Sequence, residues 1–121
     1  MKLKRDYRDY LRDILIHAEA AIEFAAKFNN AHELEGDLRS YWAVVRALEV
    51  IGEAARHFPA DFKKSHSEIF WRGMSGMRDK VIHDYFGVDA EVVWRTVKDD
   101  LPELCSKVRE ILEQDKEPDH R

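Results

Sequence analysis

Apolar residues return every three or four positions along almost the whole chain, a spacing that lines one face of an α-helix and that alternating strands cannot satisfy. Tyr7, Leu11, Ile14, Leu15, Ala18, Ala21, Ile22, Ala25 and Phe28 predict a first amphipathic helix from Tyr7 to Phe28. The stretch NNAHELEGD then breaks the period with polar residues and Gly36, so it reads as a connection with room for one helical turn. Tyr41, Val44, Val45, Leu48, Ile51, Ala55 and Phe58 predict a second helix from Asp37 or Leu38 to Phe58, ended by Pro59. Ala60 to Lys64 suits a short helical turn. A third stripe of Ile69, Phe70, Met74, Met77, Val81 and Ile82 should stop near Phe86, because Gly87 is a natural C-terminal residue and Asp89 an N-cap for the next helix. The fourth helix runs from Ala90 to about Leu112 on Val93, Val97, Leu101, Leu104, Val108 and Ile111, with a kink or restart expected at Pro102.

Only 5 Gly and 3 Pro punctuate 121 residues, too few for a β-rich fold, and the length allows one modest core. The expectation is therefore all-α: a single antiparallel up-down bundle of four main helices plus a short connecting helix over residues 1–113, with a frayed tail over 114–121. The net charge of −4 disfavours generic binding to nucleic acid through the whole-protein field, so any contact with a polyanion must be local. Cys105, the single cysteine, rules out an internal disulfide and a thiolate metal cage and suits a reducing compartment; its simplest role is to pack between helices. No apolar run approaches the roughly 18 residues of a membrane span, and MKLKRDYRDYLRD lacks the apolar block of a signal peptide, so a cytoplasmic address is expected.

Six histidines in a helical bundle raise the question of a metal. The Glu-x-x-His spacing of di-iron bundles occurs only as Glu117 with His120, in the predicted tail. Glu49, Glu53 and His57 share a helix face, but with Arg46 and Arg56 beside them they read as a solvated, ion-paired surface. His17, His32, His66 and His120 have no partner pattern and read as surface or cap residues. With no H-E-x-x-H, no Gly-rich phosphate loop and no G-x-S-x-G, neither a metal nor a cofactor is expected.

One stretch does carry chemistry: RDKVIHDYF, from Arg78 to Phe86. On a continuous third helix, Arg72, Gly76, Asp79 and His83 fall on one polar face, with Asp79 a turn before His83 and able to orient its imidazole. Gly76 on that line leaves room for a backbone or a phosphate to approach. Arg78 lies about 140° round from His83, so its long side chain must bring the guanidinium across. Tyr85 ends the helix near the same cleft, and Trp71 and Phe86 flank it as stacking surfaces. From spacing alone, such a group is more often an ordinary polar rim at a helix end.

Taken together, R-D-K-V-I-H-D-Y fits an R-x-x-x-x-H-x-Y motif. In order along the chain, ALEVIGEAAR, IFWRGMSGMRDKVIHDYFGVD and VVW resemble the HepT-like family of HEPN-domain proteins. The resemblance implies an all-α homodimer acting as a metal-independent ribonuclease toxin of a type VII toxin-antitoxin pair, restrained by an MntA-type nucleotidyltransferase antitoxin. Arg78 and His83 then match the catalytic pair, Asp79 the supporting polar position after the Arg, and Tyr85 the tyrosine that receives AMP. Arg72, Lys80 and Trp71 are the candidate RNA contacts; no DNA or membrane partner is implied. Phe70 departs from the family pattern, where many relatives have Pro before the Trp. Two alternatives stay open: a non-catalytic helical binding subunit of a nucleotidyltransferase, and a structural dimerisation domain.

Overall fold

A computed structural model describes residues 5–76 and 89–115, and among these every regular element is helical. The helices are α1 (Arg5–Ala25), α2 (Ala31–Gly36), α3 (Leu38–Ala55), α4 (Ala60–Ser65), α5 (71–76), α6 (Ala90–Arg95) and α7 (Leu101–Gln114). A π-helical turn at Thr96–Asp100 joins α6 to α7.

Small side chains let these helices come close. Ala18, Ala21 and Ala25 of α1 are fully buried with Leu11 and Ile14, so α1 can pack tightly against both α3 and α7. Contacts at the ends set the directions. Tyr10 near the start of α1 stacks on His57 just beyond α3 at 4.4 Å, while Phe24 and Lys27 at the other end share a groove with Leu38, Arg39 and Ala43. Arg8 pairs with Asp115, and Glu19 with Arg109, so α7 also runs antiparallel to α1. The predicted core residues of the second and fourth helices are buried, Val44, Ile51, Leu101 and Val108 completely; each such side chain contributes about 1.5–3 kcal/mol.

Caps set the helix starts. Asn30 accepts from the Glu33 amide at 2.9 Å, and Glu33 returns the bond to the Asn29 amide at 2.9 Å, which makes the turn within NNAHELEGD a real helix. Asp37 accepts from the Ser40 amide to start α3, and Asp89 from the Glu91 amide to start α6. Pro102 does not break the fourth helix. It has no N–H for the carbonyl of Lys98, and the wider π turn just before it takes up the misfit, so α7 starts cleanly at Leu101.

Several boundaries differ from the periodicity. Helices α1 and α3 stop at Ala25 and Ala55, with Phe28 and Phe58 reaching the core from the turns beyond them. The third helix starts at residue 71, so Ile69 and Phe70 precede it. At the C-terminus, Asp115 is not frayed: its side chain is held by Arg8 and the residue is 5% exposed. Residues 116–121 lie outside the described ones, as does the predicted stop at Phe86 and Gly87. Among the described residues no helix is long and apolar enough to cross a membrane.

Candidate active site

An aromatic cluster fixes the chain on its way into the R-x-x-x-x-H stretch. Phe58 and Phe62 stack at 4.8 Å, Trp71 meets Phe58 at 5.1 Å, and Tyr7 meets Phe62 edge-on at 5.1 Å. The Trp71 indole Nε1 donates to the His66 carbonyl at 2.9 Å, and the Lys63 ammonium sits 5.9 Å from its ring centroid. The last turn of α4, the loop after it and the first residue of α5 are thereby tied together.

This packing corrects one expectation. Trp71, read from sequence as a stacking surface for RNA, is 8% exposed with its ring against Phe58 and Phe62. Because α5 starts at 71, the helical count cannot be carried back across Ile69 and Phe70: Ile69, Trp71 and Met74 turn inward, and Phe70 turns out. Phe70 is 74% exposed. Its ring lies over Gly73, where an added Cβ would come within 2.5 Å of it, whereas a Cβ on Gly76 would meet nothing within 4 Å. Arg72 is exposed.

Beyond the stretch, Asp89 is the next described residue. There the start of α3 approaches: burial raises the Tyr41 hydroxyl above its usual pKa, and the charges of Glu35 and Asp89 push it further up. Arg78, Asp79, Lys80, His83 and Tyr85, the other predicted site residues, lie outside the described residues, as does Phe86.

Other titratable groups have structural roles. Arg46 binds Glu49 at 3.4 Å, and His57 lies 3.9 Å from Glu53 while stacking on Tyr10, so the face considered for metal is an ion-paired surface. Among the described residues no three His, Cys, Asp or Glu side chains converge as metal ligands would. Burial lifts the Cys105 thiol, with Glu19 adding to the shift and Arg109 opposing it, so this cysteine is a packing group rather than a nucleophile.

Comparison with known proteins identifies relatives over most of the chain. The profile of the ribonuclease HepT-like family matches residues 14–111. A protein of Thermococcus cleftensis named "Probable ribonuclease HepT" is 49% identical over 112 residues, 90% of this chain and 98% of that one. A candidate RNase of Caldanaerobacter subterraneus subsp. tengcongensis is 41% identical over 90% of this chain and 96% of its own length. Another, from Methanocaldococcus jannaschii, is 38% identical over 90% of this chain and 89% of its own. No solved structure gives a significant match.

Proposed function

The chain belongs to the ribonuclease HepT-like family, and we propose that it is the toxin of a type VII HepT/MntA pair, an endoribonuclease that cuts RNA without metal at a dimer cleft. The observation that carries this reading is the intact R-x-x-x-x-H-x-Y motif, Arg78 to Tyr85, within the residues that match the family.

Metal-free cleavage uses the RNA's own nucleophile. A base takes the 2′-hydroxyl proton, the 2′-oxygen attacks phosphorus, and the bond to the 5′-oxygen breaks as an acid protonates it; the products are a 2′,3′-cyclic phosphate and a free 5′-hydroxyl. His83 suits the proton transfers, and Arg78 the charge on the phosphorane. One chain has one motif His, whereas a two-fold dimer bringing two motifs together has both a base and an acid. It also concentrates two guanidiniums in a chain of net charge −4.

Silencing acts on the same stretch of the sequence. Tyr85 stands two residues after His83, so AMP transferred from ATP to its hydroxyl, with pyrophosphate leaving, puts a phosphate and an adenosine where the substrate backbone would lie. The added anion also pairs with Arg78. The test is co-expression with the neighbouring nucleotidyltransferase and then peptide mass spectrometry. Wild type should carry one or more AMP units at Tyr85 and lose toxicity, while Tyr85→Phe should stay toxic and unmodified. Modification at full yield in Tyr85→Phe would show that this tyrosine has another role.

A further inference from the structure

The described residues expose one aromatic ring directly before the motif, in a locally basic setting. From Pro59 to Gly76 there are three cations, Lys63, Lys64 and Arg72, against two carboxylates, Asp61 and Glu68, in a chain that is −4 overall. Both carboxylates are engaged: Asp61 accepts from the Phe62 amide at 3.0 Å, and Glu68 lies 3.7 Å from the His66 ring. The Lys63 ammonium faces the Trp71 ring, next to Phe70 in the chain. Phe70, 74% exposed, contributes little to the core, and its ring lies over Gly73, in the space that a Cβ there would take. A solvent-facing ring with an exposed Arg72 two residues on is a surface on which an unpaired base can stack, since every base has a π-face and flanking cations take the phosphates.

We propose that Phe70, seated on Gly73, is a stacking platform for one unpaired base of a single-stranded RNA, with Lys63 and Arg72 contacting the neighbouring phosphates. The inference rests on the ribonuclease reading and adds a substrate grip outside the catalytic pair. It names Phe70 in place of Trp71 as the ring that RNA meets.

The experiment measures binding apart from cleavage. A fluorescent decamer of 2′-O-methyl-uridine cannot supply the nucleophile, so its dissociation constant reports grip alone. Phe70→Ala should weaken binding about tenfold, and Phe70→Trp should keep it. Gly73→Ala, which favours the helix but displaces the ring, should behave like Phe70→Ala. Lys63→Gln and Arg72→Gln should each lower the salt slope by about 0.7. Moving a single abasic site along the decamer should cost wild type affinity at one position and cost Phe70→Ala nothing there. The proposal is overturned if Phe70→Ala and Gly73→Ala bind as wild type does, or if wild type does not bind the decamer. It is also overturned if Phe70→Ala changes the oligomeric state by light scattering, which would make the ring part of a protein interface. A chain that grips the decamer in this way but never cleaves RNA would refute the ribonuclease reading and leave the platform standing.

Discussion

Phe70 and Trp71 are adjacent aromatics with opposite tasks, and stability measurements should separate them. Trp71→Ala removes a buried ring from contacts with Phe58 and Phe62 and takes the indole donor from the His66 carbonyl, which keeps only the Ile69 amide; it should cost about 3–5 kcal/mol in urea denaturation. Phe70→Ala should stay within about 0.5 kcal/mol of wild type. The sequence contained a hint of this division. Ile69, Phe70 and Trp71 are three consecutive apolar residues, and at 100° per residue they cannot all face one core. Which of them turns out depends on where the helix starts, and that is decided by packing against Phe58 and Phe62, residues more than eight positions away that periodicity does not connect. A second residue-scale prediction concerns Asp115, whose buried carboxylate is held by Arg8. Arg8→Ala removes the guanidinium that pairs with that charge and should cost about 2–3 kcal/mol by the same measurement.

At the scale of elements, the π turn before Pro102 gathers Asp99, Asp100 and Glu103. Burial raises the Asp100 pKa, and the charges of Asp99 and Glu103 raise it further. A carboxyl whose folded pKa lies above its unfolded one favours the folded state only while protonated, and that contribution is lost as pH rises through the folded value. Asp100→Asn should therefore raise the melting temperature at pH 7, with the gain shrinking towards pH 3. Asp100 makes no side-chain cap bond that the substitution would remove. The first, second and fourth helical stripes and the Asp89 cap were legible because period and capping are local signals. The π turn was not, since Pro102 announces a misfit without saying which turn absorbs it.

For the whole molecule, the proposed reaction calls for a second copy. A single motif histidine cannot be both base and acid in one step, so the chain should be a dimer by light scattering at micromolar concentration; a monomer would remove the shared cleft. The family and its motif were readable because they are linear and ordered, from ALEVIGEAAR to VVW. How two copies would pair is a matter of surfaces, which spacing does not describe. The most direct measurement is cleavage of a labelled single-stranded RNA in excess EDTA by wild type, His83→Ala and Arg78→Ala. Wild type should cut at the same rate with and without the chelator, and each variant should be slower by a factor of about 10² to 10⁴ while keeping its helical content. Activity that EDTA abolishes and a divalent ion restores, or variants that cut as fast as wild type, would contradict a metal-free Arg-His ribonuclease.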